Sequence, residues 1–209
     1  MTRNIAGASR LRPVLFALLL PVLLAIVTGR LASRPQGTGA QSLPTTNLGF
    51  AVIGDYGAAS YPEEGQVAAM IHSWNPDLVI TVGDNNYEDG FAADIDPNIG
   101  QYFHDYIFPY SGSYGPGATT NKFFPSLGNH DWGAAGNPQP YYNYFSLPNN
   151  ERYYDFASGP VHFFAIDADP NEPDGNTSGS VQANWLRTRL ASATEPWKIV
   201  YFHQPPYSS

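Results

Sequence analysis

The sequence predicts an α/β fold (α+β by some schemes), and three observations carry that prediction. Short apolar runs stop abruptly at a glycine or a polar residue, as buried strands do when they reach the end of a sheet. The first two runs, Phe50–Ile53 and Leu78–Val82, flank a stretch with helical periodicity, which makes a β-α-β unit with parallel strands and a right-handed crossover. Farther on, two apolar runs meet at Ala157-Ser158-Gly159-Pro160, the signature of a hairpin.

Taken in order, residues 1–40 read as a signal peptide and linker. Arg3, Arg10 and Arg12 precede Val14–Val27, 14 residues without a charge. That is short of the roughly 20 needed to span a bilayer, and it fits the apolar region of an export signal. No stable membrane span is expected once it is removed, and the protein is expected to be exported, secreted or periplasmic. An uncleaved segment would leave it anchored in the membrane. Gln36–Asn47 is polar and rich in Gly, Pro, Ser and Thr, so it reads as linker.

A helix is predicted over Pro62–Trp74. Pro62 suits a first turn, Glu63 and Glu64 suit the positive helix end, and Val67, Met70, Ile71 and Trp74 share a face. Glu88–Lys122 reads as irregular, with a short amphipathic helix around Tyr102–Phe108. Phe123–Leu127 is the third strand, and Gly133–Pro148 is again irregular. Arg152–Phe156 and Val161–Ile166 form the hairpin; a helix over Gly179–Ala193 and a strand over Trp197–Phe202 complete the chain. Residues 48–209 thus read as one catalytic domain, within the usual size of about 100–200 residues.

The net charge of −8 leaves no basic patch, so nucleic acid is not expected as a structural partner. Cysteine is absent, which removes disulfides, thiolate zinc sites and cysteine nucleophiles.

Four strand-like runs end in side chains able to hold metal: Asp55, then Asp84 with Tyr87, then Asn129 with His130, then His203. Ligands of open α/β sheets bind beyond the carboxyl ends of the strands, so these tips predict a two-metal hydrolase site. A carboxylate can bridge two cations about 3.5–4 Å apart, and Asp84 sits centrally enough to do so. Asn129 offers a neutral carbonyl oxygen and His203 an imidazole nitrogen. A free phenol has a pKa near 10, so Tyr87 as a ligand calls for a strongly Lewis-acidic ion such as ferric iron.

Gly54-Asp55-Tyr56-Gly57, Gly83-Asp84-Asn85-Asn86-Tyr87, Gly128-Asn129-His130-Asp131 and Val200-Tyr201-Phe202-His203 together resemble the calcineurin-like metallophosphoesterases. More narrowly they are similar to the purple acid phosphatases (the tartrate-resistant acid phosphatase type). The superfamily opens with Asp-x-His; here Gly57 stands in the histidine position and Tyr87 follows Asp84, the exchange that marks that branch. The resemblance implies a four-layer αββα sandwich of two mixed sheets flanked by helices. It implies that Asp55, Asp84 and Tyr87 serve Fe3+, and that Asp84, Asn129 and His203 serve a divalent ion (Fe2+, Zn2+ or Mn2+). His130 would bind the phosphate or protonate the leaving group.

The implied activity is hydrolysis of small phosphate monoesters with a metal-bound hydroxide as nucleophile. A phosphodiesterase or nucleotidase of the same superfamily is the first alternative, and a non-catalytic exported binding module the second. The family also has a later Gly-His-x-His motif, one histidine for each metal. None is present here, so the expectation is a C-terminally incomplete chain in which each metal lacks one imidazole.

Overall fold

The computed structural model describes residues 47–133 and 136–206. The signal peptide and linker expected over 1–40 lie outside the described residues. The first sheet has the order β1-β2-β3, with β1 Phe50–Ile53, β2 Leu78–Thr81 and β3 Phe123–Pro125. All its pairings are parallel, with Phe50 opposite Leu78 and Val79 opposite Phe123. The second sheet has the order β4-β5-β6, with β4 Tyr154–Ser158, β5 Val161–Ala165 and β6 Trp197–Tyr201. Its hairpin pair is antiparallel and its β5–β6 pair parallel. Two sheets flanked by helices are therefore present as expected, but among the described strands only the second sheet is mixed. The difference follows from connectivity: every link in the first sheet is a crossover, whereas the second contains one tight hairpin.

Helix α1 spans Pro62–Trp74 as the sequence predicts, and Asn75 ends it in the left-handed conformation with φ 47°. Its packing face differs from the expected one. Glu64, Ala68 and Ile71 are buried, whereas Val67, Met70 and Trp74 face solvent, Trp74 with 60% exposure. The buried face carries Glu64, Ala68 and Ile71, and the apolar stripe read from periodicity is split. Burial of Ile71 alone contributes about 1.5–3 kcal/mol.

The irregular stretch is more ordered than its composition suggests. A π-helical turn, Asp96–Gly100, runs into α2 (Gln101–Phe103) and a 3-10 turn, His104–Tyr106, which bury Ile99, Phe103 and Tyr106. Helices α3 (Asn129–Trp132) and α4 (Gln139–Tyr144) occupy segments expected to be loop. Both are too short to display a helical period, and α4 is started by a proline in its first turn. Helix α5 covers Val181–Ser192, and the Ser180 hydroxyl caps it by accepting from the Ala183 N–H.

The sheets face each other across aromatic rings. Phe124 stacks on Phe156 with centroids 3.8 Å apart, and Phe50 meets Phe163 edge-on at 5.2 Å. Tyr154 and Tyr201 donate across the gap to the carbonyls of Pro125 and Phe124, at 2.6 and 3.2 Å. These contacts fix the end of β6 above the ends of β2 and β3. On the outer face of the second sheet, Arg189 of α5 forms two-pronged bonds with Asp155 of β4. The layers are helix, sheet, sheet, helix.

Candidate metal centre

Pairing between the first two strands continues past their ends. Val82 N–H donates to Ile53 O, Asp55 N–H to Gly83 O at 3.1 Å, and Tyr87 N–H to Gly57 O at 2.8 Å. This brings the two carboxylates side by side. Both Asp55 and Asp84 are left-handed, with φ 52° and 53°. That conformation costs an L-residue about 1–2 kcal/mol, and such strain persists only where the surroundings over-determine it.

Asp55, Asp84 and His203 each present one ligand atom, and these atoms lie within 4.8 Å of one another. The Tyr87 hydroxyl is 3.0 Å from Asp84 Oδ2 and 3.2 Å from Asp55 Oδ1. His203 Nε2 is 3.2 Å from Asp84 Oδ2 and 3.1 Å from Asn129 Oδ1. His130 Nε2 stands farther off, 3.9 Å from Asp84 Oδ2, with its ring against that of Tyr87. All six residues singled out from the sequence therefore meet, and they come from both sheets.

Two backbone carbonyls orient the imidazoles. His203 Nδ1 is 2.8 Å from Val82 O, and His130 Nδ1 contacts Glu88 O. A carbonyl can only accept, so each Nδ1 carries hydrogen and each Nε2 faces the centre. The inward oxygens of Asp55, Asp84 and Asn129 are acceptors, and His203 Nε2–H donates to Asp84 and Asn129. This donor set suits cations.

Burial pushes the Tyr87 phenol upward, and hydrogen bonds to Asp84 and the charge of Asp55 add to it. Burial would also raise the Asp84 carboxyl, but His203, the His130 amide and Tyr87 together hold it below the usual carboxylate range. Asp84 pushes the His203 imidazole up to about 9 against the opposing effect of burial, with Val82 O and Asp55 contributing. Two carboxylates beside a phenol and an imidazole thus create a strong demand for positive charge. Beside Asp55 and Tyr87 lies a cleft of about 720 Å³ whose lining includes Ile53, Tyr61, Val67 and Glu88.

The sequence model of the calcineurin-like phosphoesterases matches residues 48–209. The chain belongs to the calcineurin-like phosphoesterase family. Its similarity within the family runs to purple acid phosphatases. Purple acid phosphatase 7 of Arabidopsis thaliana is 29% identical over 147 residues, 63% of this chain and 42% of that protein. Purple acid phosphatase 17 of the same plant is 30% identical over 90 residues, 41% of this chain and 25% of that one. The solved purple acid phosphatase PPD1 from yellow lupin (Lupinus luteus) seeds superposes with a TM-score of 0.53 at 20% identity, covering 74% of this chain and 30% of that one. The lupin likeness shows the fold. The chain spans less than half the length of each of these relatives.

Two glycines explain how this phosphoesterase domain arranges its tips. A Cβ on Gly57 would lie 1.6 Å from the Asn85 carbonyl oxygen, so the superfamily's histidine has no room there. Gly83 has φ 86°, and a Cβ there would stand 2.5 Å from His203 Cβ. Of the other histidines, His72 binds Tyr102 O, His104 binds Gly100 O, and His162 sits between Asp155 and Glu195. All three have partners away from the centre. The roles of the Val82 and Glu88 carbonyls are invisible to sequence reading, because any residue carries one. Tyr56 and Asn85 were visible only as letters within the motifs.

Proposed function

We propose that the protein is an exported phosphoesterase that hydrolyses small phosphate monoesters at a binuclear centre. The observation that carries this is the convergence of Asp55, Asp84 and His203 ligand atoms within 4.8 Å, with Tyr87 and Asn129 oxygens alongside. Residues 48–209 are the catalytic domain and residues 1–40 the export signal and linker. Asp55, Asp84 and Tyr87 would hold Fe3+; Asp84, Asn129 and His203 would hold Fe2+, Zn2+ or Mn2+. Carboxylate, phenol and imidazole in one set favour transition metals over calcium or magnesium.

When bound, the cations acidify the attacking water and offset the negative charge of the phosphate. The chain's own residues do the rest. Asp84 would serve both positions, which would keep them close. The Val82 carbonyl fixes His203 with Nε2 inward. Water oxygen forms a bond to phosphorus while the bond from phosphorus to the alcohol oxygen breaks. His130, with Nδ1–H held by Glu88 O, gives the proton on Nε2 to the departing oxygen. The products are inorganic phosphate and the free alcohol.

The discriminating experiment compares 4-nitrophenyl phosphate with bis(4-nitrophenyl) phosphate as substrates for the full-length protein. The expected result is a clear preference for the monoester in kcat/KM. A preference for the diester would assign the protein to the phosphodiesterase alternative, and absence of turnover on both would favour a binding module.

A further inference from the structure

We propose that Asp131, which takes no part in the chemistry above, is a positioning residue that locks the turns bearing Asp84 and Asn129 together. The inference rests on the two-metal reading for its consequence, but its geometry stands alone.

Asp131 is 3% exposed, and its carboxylate is filled by N–H groups from two different turns. Oδ2 accepts from Gly128 N–H at 2.8 Å and from Asn85 Nδ2 at 2.8 Å. The Asn85 backbone N–H lies 3.1 Å from Oδ1 and 3.2 Å from Oδ2. Asn85 directly follows the left-handed Asp84, so the peptide that leaves Asp84 is pinned by this carboxylate. Gly128 directly precedes Asn129, and Asp131 closes the first turn of α3 onto it. That turn aims the His130 N–H at Asp84 Oδ1, 2.9 Å away.

The chain of contacts continues to the third tip. Asn85 is wholly buried; its Oδ1 accepts from Thr81 Oγ1 and, at 3.2 Å, from the Tyr56 hydroxyl. Its Nδ2 also reaches Ser126 O at 2.8 Å. Tyr56 adjoins Asp55. Asp131, Asn85 and Tyr56 therefore form one polar strut, buried at Asp131 and Asn85 and half-buried at Tyr56, beneath the turns that carry Asp55, Asp84 and Asn129. A fully satisfied buried network of this kind specifies a single geometry, and outer partners of metal ligands typically set affinity by 10–100-fold.

Zn2+ affinity of the full-length protein, measured by chelator competition, tests this together with amide exchange in the metal-free protein. Asp131→Asn puts an amide NH2 where donors already point. It is expected to weaken Zn2+ binding at least about tenfold and to speed exchange of the Asn85 and Gly128 amides. Tyr56→Phe removes one hydroxyl at the far end of the strut without changing shape; it is expected to act in the same direction with smaller size. Asp174→Asn, in the remote Arg152–Tyr153 network, is expected to lower the melting temperature without changing Zn2+ affinity. Unchanged affinity and unchanged exchange in Asp131→Asn would overturn the proposal. Should that variant not fold, Tyr56→Phe with wild-type Zn2+ affinity would overturn it equally. A wild-type protein that takes up no Zn2+ would instead overturn the two-metal reading, and the exchange rates alone would then decide the role of Asp131.

Discussion

His203 Nε2 lies 3.2 Å from Asp84 Oδ2, although the two residues follow strands of different sheets. Asp84 ends a strand buried at the centre of the first sheet; His203 follows the outer strand of the second. The centre therefore forms only when the two sheets are packed in register across Phe124 and Phe156. Folding and site assembly are one event, and the variants below test the site through that coupling.

Position 57 is closed to a side chain. Gly57→His, which would restore the superfamily's usual first motif, forces a Cβ toward a point 1.6 Å from the Asn85 carbonyl oxygen. The expected outcome is a loss of about 3 kcal/mol or more in unfolding free energy, read by urea denaturation. The added imidazole is expected not to compensate for the loss of Tyr87 in a Gly57→His/Tyr87→Phe double variant.

In the proposed reaction His130 donates a proton. His130→Ala is expected to lower kcat by about 100-fold or more for an alkyl phosphate. The loss should be markedly smaller for 4-nitrophenyl phosphate, whose leaving group needs no proton. Equal losses on both substrates would mean that His130 binds phosphate instead.

Glu64 is 7% exposed, and burial pushes its carboxyl up to about 8 despite the Ala58 N–H that it accepts. An acid whose folded pKa exceeds its unfolded one loses stability as pH rises. The loss begins near the unfolded value of 4.5 and is complete near 8. Glu64→Gln removes that titration. It should match the wild type at pH 4 and exceed it by about 1–3 kcal/mol at pH 8, measured by denaturation across that range.

How much of this was legible in the sequence depended on length and on side chains. The strands and α1 were readable because each apolar run was long enough to show its period and ended in a distinct polar residue. The six polar residues that meet at the strand ends were readable for the same reason. The inward face of α1 was not, because Glu64 is buried where Trp74 is exposed, a choice made by contact with the loop after β1. Helices α3 and α4 have 4 and 6 residues, too few to carry a pattern. Asp131 and Asn85 were written in the motifs, yet their work is done by bonds to backbone amides that sequence does not display.

Asp155 joins the sheet to α5. Burial would raise its carboxyl, but Arg189 and then His162 outweigh it and hold it below the usual range. A depressed folded pKa contributes stability above the unfolded value near 3.9 that is lost as pH falls through the folded value. Asp155→Asn should therefore destabilise the protein by about 3 kcal/mol at pH 6, and the difference from wild type should shrink as pH falls below 4. A constant difference across that range would show that charge is not what Asp155 contributes.

The most direct test of the central claim is metal content with the visible spectrum, on the full-length protein and on Tyr87→Phe. The Tyr87 oxygen lies 3.0 and 3.2 Å from the two carboxylates, where an Fe3+ ion would draw it into its coordination. Two metal ions per chain are expected, at least one of them iron, with a visible tyrosinate-to-iron band that Tyr87→Phe abolishes. A wild-type protein without iron or colour, or a Tyr87→Phe variant whose band is unchanged, would contradict that claim.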